Sequence, residues 1–153
     1  MKLPPLLVVL LVAAYLLPAA SAGMVGEKLP KSYLNYMGTK PEIEGKPLLL
    51  EFWATWCPPC RQSIPHLNEI YAKYKDRGLV VVGVTEETDA VIRKFRKDVP
   101  MDYSVATDTG GRLSEKMGIN GIPHAFLVNK SGEIVWDGHP MQLSDEDIEK
   151  ILE

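Results

Sequence analysis

Two stretches of the chain are apolar at almost every position: Leu48-Leu49-Leu50-Glu51-Phe52-Trp53 and Leu79-Val80-Val81-Val82-Gly83-Val84. Runs of this length without polar alternation fit strands buried on both faces, as a sheet covered by helices requires. They predict one strand from Pro47 to Trp53 and another from Leu79 to Thr85. Between them the period changes. Ile64, Leu67, Ile70, Tyr71 and Tyr74 recur at three- and four-residue steps, which predicts a helix from Pro58 to Asp76, ended by Arg77-Gly78.

The pattern continues in shorter pieces. Val91, Ile92 and Phe95 mark a helix that Thr88 or Asp89 caps and Pro100 stops. Tyr103 to Ala106 predicts a short strand, Gly111 to Met117 a short helix closed by Gly118, and His124 to Val128 a further strand. Asn129-Lys130-Ser131-Gly132 is a turn into a hairpin partner, Glu133 to Trp136. Ser144 with Asp147 three residues later opens a last helix in the manner of a capping box. The order βαβ, αβα, hairpin and helix predicts an α/β domain of three layers with a mixed central sheet. Residues 23–45 are polar, with Pro30, Gly38 and Pro41. They predict a lead-in with a short helix around Ser32–Met37, ahead of a single domain over 46–153.

Residues 1–22 have another character. Lys2 is the one charge before Glu27, Leu6 to Leu17 is nearly all Leu, Val and Ala, and Ala20-Ser21-Ala22 follows. This is the pattern of a secretory signal peptide cut after Ala22, or of an anchor left uncleaved; either implies export. No cysteine stands near that site, which excludes a lipoprotein anchor. Without this segment 131 residues remain, enough for one domain with its own core. Sixteen basic against twenty acidic residues then give a mildly acidic chain. No basic run suggests nucleic acid or anionic lipid as a partner.

The chain has two cysteines, both within Trp56-Cys57-Pro58-Pro59-Cys60, where the first strand gives way to the first helix. A helix N-terminus offers unpaired N–H groups and the positive end of a dipole, which favour a thiolate. A disulfide ring this short constrains little of the unfolded chain, so the pair fits redox chemistry better than stapling.

Glu51 to Cys60 (Glu-Phe-Trp-Ala-Thr-Trp-Cys-Pro-Pro-Cys), Pro65 five residues on, and Gly121-Ile122-Pro123 before a strand resemble the thioredoxin superfamily. The Phe52–Cys60 string, the export signal and an extra αβ segment at about 86–106 resemble its TlpA/ResA-like branch of exported bacterial thiol–disulfide oxidoreductases. The resemblance covers roughly Lys46 to Trp136. It implies a thioredoxin fold, three-layer α/β/α with an αβ insertion, and activity without cofactor or metal.

The resemblance also implies roles. Cys57 is the nucleophile, its sulfur partly exposed, and Cys60, more buried, resolves the mixed disulfide. Glu51, a carboxylate in an apolar strand, accepts the Cys60 proton. Pro123 takes the superfamily's cis-proline position, placing Ile122 beside the cysteines with its backbone open to a substrate strand. Trp56 joins the docking surface, and Trp53 packs under the loop. Pro58 and Pro59 occupy the first turn of the helix and remove N–H groups that could reach the Cys57 sulfur, which favours a reducing pair. The implied partners are protein disulfides or dithiols, such as apocytochrome cysteines or misoxidised envelope proteins. A membrane or soluble thiol–disulfide donor would recycle a monomer in the periplasm or another extracytoplasmic space.

The sequence also departs from the pattern. Thioredoxins carry a lysine on the next strand to partner the buried acid, and here Gly83 falls near that place. Many TlpA/ResA-like proteins carry an acid three residues after the second cysteine, and here it is Ser63. His124 stands where Thr is more common; it either tunes Cys57 or points outward. His139 belongs to a loop, and His66 to a solvated helix flank. The competing reading is a copper(I) chaperone using Cys57, Cys60 and a histidine, although copper-delivery relatives have three residues between the cysteines. Arg61 after Cys60 disfavours covalent haem attachment.

Overall fold

The computed structural model describes residues 23–153, so the export segment at 1–22 and its cleavage after Ala22 lie outside the described residues. In chain order the elements are β1 (Asn35–Tyr36), β2 (Leu48–Phe52), α1 (Pro58–Tyr74), β3 (Val80–Thr85), α2 (Asp89–Phe95) and β4 (Ser104–Thr107). There follow α3 (Arg112–Lys116), β5 (His124–Val128), β6 (Ile134–Gly138) and α4 (Asp145–Leu152). The strands form one sheet in the order β1-β4-β3-β2-β5-β6. β2, β3 and β4 run parallel; β5 is antiparallel to both β2 and β6, and β1 is antiparallel to β4. This is the thioredoxin-like α/β architecture with a mixed sheet.

The alternation of β2 divides the core. Leu48, Leu50 and Phe52 pack with Val82, Val84 and Phe126 under Leu113 of α3 and Met117, which caps its end. Leu49 and Trp53 pack on the other face with Ile64 and Leu67 of α1, Ile92 of α2, and Ile148 and Ile151 of α4. Three helices on one face and one on the other make the three layers, and both β2 faces are buried, as the apolar run requires.

α1 begins where Cys57, in an extended conformation, caps it, with Pro58 and Pro59 in its first two positions. It continues through Pro65, whose missing N–H leaves the Arg61 carbonyl without its helical donor on an exposed flank. Gly78, at φ +96°, closes the turn after it. α4 starts with a reciprocal capping box between Ser144 and Asp147. It is tied to the end of α1 by Tyr74 Oη donating to Asp145, and to the turn after α1 by a two-pronged Arg77–Glu149 pair.

One sequence expectation is corrected. Residues 32–37 are not a helix. Asn35 and Tyr36 pair with Thr107 and Ala106 at the outer edge of β4. Leu34 and Tyr36 turn toward the α3 side and Met37 toward the α1 side, so the local apolar pattern has the period of a strand. Upstream, residues 26–29 run along the outer edge of β6. Gly26 N–H donates to the Ile134 carbonyl, Ile134 N–H to Glu27, and Leu29 N–H to Gly132. Among the described residues no helix is long and apolar enough to cross a membrane.

Candidate active site

The two cysteines are joined by a disulfide across the first turn of α1, with Cα atoms 5.3 Å apart. β2 delivers the chain to this point, and the Trp53 N–H still bonds the Val84 carbonyl of β3. The Thr55 backbone N–H and hydroxyl then donate to the Glu87 carboxylate at 2.7 and 2.6 Å, which anchors the loop just ahead of Cys57. Pro58 and Pro59 have no N–H to offer. The Cys60 N–H is the first one left in the helix, and it donates to Cys57 Sγ at 3.2 Å. The prolines thus thin the donors around the sulfur without removing them all.

Cys57 is 3 % exposed, which corrects the expectation of a partly open sulfur. Its Sγ is bonded to Cys60, and the Ile122 carbonyl oxygen lies 3.7 Å from it. Cys60 is fully buried, as expected. The Ile122–Pro123 peptide bond is cis. Trp56, directly before Cys57, is 71 % exposed. It borders a cleft of about 220 Å³ whose walls include Trp53, Ile119, Ile122, Ser114, Glu86 and Glu87.

Glu51 has no solvent contact. It projects from β2 to the α1 face, where Ser63 Oγ lies 2.9 Å from Oε1 and Tyr103 Oη 3.4 Å from Oε2. Burial pushes its carboxyl up to about 8, against the opposing pull of these two hydrogen bonds. The Ser63 hydroxyl is also 2.9 Å from the Cys60 carbonyl oxygen, so it joins the acid to the backbone of the second cysteine. Across the sheet Glu51 stands opposite Gly83. A Cβ on Gly83 would lie 3.0 Å from Trp53 Nε1 and 3.1 Å from Tyr103 Cε2, so two aromatic rings fill the space that its missing side chain leaves. The Tyr103 phenol is itself pushed well up, by burial and by the neighbouring Glu51.

The histidines sit elsewhere. His124 is on β5 opposite Phe52, on the α3 face of the sheet. Its Nε2 is 3.5 Å from Asp137 Oδ1 and its ring 4.8 Å from the Phe126 ring, away from the cysteines. His139 accepts the Met141 N–H in the loop after β6. His66 is half-buried with Nε2 enclosed and unpartnered, which corrects the reading of a solvated flank. Among the described residues no three His, Cys, Asp or Glu side chains gather in the manner of a metal site.

Three neighbours of this site were not singled out as site residues in the sequence: Ser63 as a partner of Glu51, Tyr103, and Glu87. A glycine inside an apolar strand is the signal that points to Tyr103, since it marks a close approach by another group. Ser63 lies three residues beyond Cys60, on the same face of α1, and that face is turned toward the buried acid.

Residues 17–152 match the Redoxin family. The thiol–disulfide oxidoreductase ResA of Bacillus thuringiensis subsp. konkukian is 34 % identical over 116 residues, which cover 72 % of this chain and 67 % of that one. ResA of Halalkalibacterium halodurans is 31 % identical over 113 residues, covering 73 % of this chain and 64 % of its own. Among solved structures, a Chlorobium tepidum protein assigned as the thiol:disulfide interchange protein DsbE superposes with a TM-score of 0.78. It is 30 % identical, with 86 % of this chain and all of that chain covered. With a cysteine pair closed at a helix start on this fold, the chain belongs to the Redoxin family, as a TlpA/ResA-like thiol–disulfide oxidoreductase of the thioredoxin superfamily.

Proposed function

We propose that the chain is an exported reductase of protein disulfides, with Cys57 as nucleophile, Cys60 as resolving thiol and Glu51 as proton acceptor. The observation that carries this reading is the buried Glu51 carboxyl tied through Ser63 to the Cys60 turn of a Cys57-capped helix.

The reduced Cys57 thiolate attacks one sulfur of a partner disulfide, forming a mixed disulfide and releasing a partner thiolate, which takes a proton from water. The Cys60 thiol passes its proton to the Glu51 carboxylate. The resulting thiolate attacks Cys57 Sγ and expels the second partner thiolate. Two electrons pass to the partner, and Cys57–Cys60 is left as a disulfide. Recycling runs the same steps backward: a donor thiolate opens the disulfide at Cys57, and protonated Glu51 returns its proton to Cys60. In the disulfide form burial holds that carboxyl up at about 8, so near neutral pH it carries the proton that this return step needs.

Trp56, Pro58, Pro59 and the Ile122–Pro123 segment form the contact face, with the Ile122 backbone available to an extended substrate segment. His124 packs against Asp137 and Phe126 behind that face, which supports a structural part for it. The partners are protein disulfides, such as those of apocytochromes or misoxidised envelope proteins, and a membrane or soluble thiol donor, with the protein acting as a monomer. The apolar run ending in Ala20-Ser21-Ala22 supports export to the periplasm or an equivalent space, with residues 1–22 removed as a signal or kept as an anchor. N-terminal sequencing of the exported protein decides between those two.

Insulin reduction by the wild type and by Cys57→Ser tests the whole reading. Activity should vanish in the variant. Full activity there, or stoichiometric copper(I) binding by a wild type that exchanges no disulfides, would replace the redox reading.

A further inference from the structure

The acid behind a reactive cysteine pair needs something to hold it, and among the described residues no cation does so. The groups facing Glu51 are few. α1 presents Cys60 and the Ser63 hydroxyl, and the segment before β4 presents the Tyr103 phenol. The neighbouring strands β3 and β5 present Gly83 and Ala125, which have no charge to offer. Arg96 and Asp102 act on the Tyr103 phenol rather than on the acid. The Trp53 indole N–H is buried without a partner at the same junction.

We propose that Ser63 and Tyr103 are positioning residues that hold the Glu51 carboxyl against the Cys60 turn by two neutral hydrogen bonds, and that Gly83 is the opening through which Tyr103 reaches it. This rests on the proton-acceptor reading of Glu51 given above.

The geometry gives each residue a separate task. Ser63 Oγ is equidistant, at 2.9 Å, from Glu51 Oε1 and the Cys60 carbonyl. Its single hydrogen serves one acceptor at a time. With Glu51 ionised, the hydroxyl donates to the carboxylate. With Glu51 protonated, the acid can donate to Ser63 Oγ while Ser63 turns its hydrogen to the Cys60 carbonyl. One hydroxyl thereby satisfies both protonation states, and the acid stays fixed beside the resolving cysteine through the cycle. Tyr103 has no such choice: its phenol donates to Oε2 when the acid is charged. Its ring can lie over β3 because Gly83 has no Cβ in the way.

A neutral pair of donors differs from a cation in one measurable respect. A lysine would favour the charged carboxylate strongly, whereas two hydroxyls do so weakly, which leaves the acid protonated near neutral pH. Each hydroxyl removed should therefore raise the pH at which Glu51 ionises, not lower it.

The test is carboxyl 13C NMR on the oxidised protein, in which the cysteines do not titrate, for wild type, Glu51→Gln, Ser63→Ala and Tyr103→Phe. It is paired with the pH profile of disulfide opening by dithiothreitol, scaled to its thiolate. Ser63→Ala and Tyr103→Phe should each move the Glu51 midpoint upward, by about one pH unit or less, with the longer Tyr103 bond giving the smaller shift. The break in the rate profile should move with it, and Glu51→Gln should lack both. Unmoved midpoints and profiles in Ser63→Ala and Tyr103→Phe, with Glu51→Gln still slow, overturn this proposal and leave the proton-acceptor reading standing. A Glu51→Gln protein that opens at the wild-type rate at every pH overturns that reading instead, and this proposal with it. Should Ser63→Ala fail to fold, Tyr103→Phe, which loses one oxygen atom, decides alone.

Discussion

The Cys60 backbone N–H donates to Cys57 Sγ across the two prolines that separate the cysteines, at 3.2 Å. It is the first helical N–H available to that sulfur, because Pro58 and Pro59 have none. Replacing Pro59 with Ala restores a second donor in the same turn. A hydrogen bond to a charged acceptor contributes about 1.5 kcal/mol or more, so Pro59→Ala should stabilise the reduced form. It should also raise the reduction potential by on the order of 30 mV. Equilibration against dithiothreitol redox buffers measures this; an unchanged potential means that the restored N–H does not reach the sulfur.

Glu51 makes the stability of the protein depend on pH in a definite direction. Its folded-state value is raised from 4.5 to about 8, so the folded chain keeps a proton that the unfolded chain has lost. Stability from this group is fully present below about pH 4.5 and declines as pH rises through about 8. The slope is at most ~1.4 kcal/mol per pH unit. Glu51→Gln should flatten that decline. Urea unfolding of the oxidised proteins at several pH values checks it, and parallel curves for the two would count against the assignment.

Gly83→Ala adds a methyl group within 3.0 to 3.1 Å of the Trp53 and Tyr103 rings. Overpacking of this kind costs about 1–3 kcal/mol. The thermal midpoint should fall, and the displaced phenol should change the ionisation of Glu51 at the same time. A variant as stable as wild type with an unaltered acid would show that the rings have more room than their positions suggest.

Trp56 is the large apolar side chain exposed beside the disulfide. Trp56→Ala should raise KM for a protein disulfide by about tenfold, in line with a central contact of an interface. Its folding stability should stay within about 0.5 kcal/mol of wild type, as for an exposed position. Steady-state kinetics with insulin and a melting curve separate the two effects; a normal KM would remove Trp56 from the contact face.

The sequence made some of these residues readable and concealed others. β2, β3 and α1 follow from continuous apolar runs and a three-to-four-residue period, and Glu51 stands out as a charge where none belongs. Tyr103 is different. Its contact with the acid depends on the register that sets Glu51 opposite Gly83 and Gly83 opposite Val105, a relation among three strands that no local window contains. β1 escapes a local reading for a related reason: its alternation spans only Leu34 to Met37, and the edge of β4 supplies its order. The burial of Cys57, closed onto Cys60 and lying against the Ile122 carbonyl, depends on contacts that spacing alone does not reveal.

The polar segment ahead of β2 touches both borders of the sheet. Residues 26–29 lie along β6, and Asn35–Tyr36 lie along β4. Unpaired strand borders are templates on which another chain can add itself. A protein begun at Lys46 would keep every member of the redox centre and lose both guards. It should self-associate at lower concentration than the longer chain, a difference that light scattering would register. Should the scattering rise as expected, the stretch that looks least like structure is what covers the two borders of the sheet.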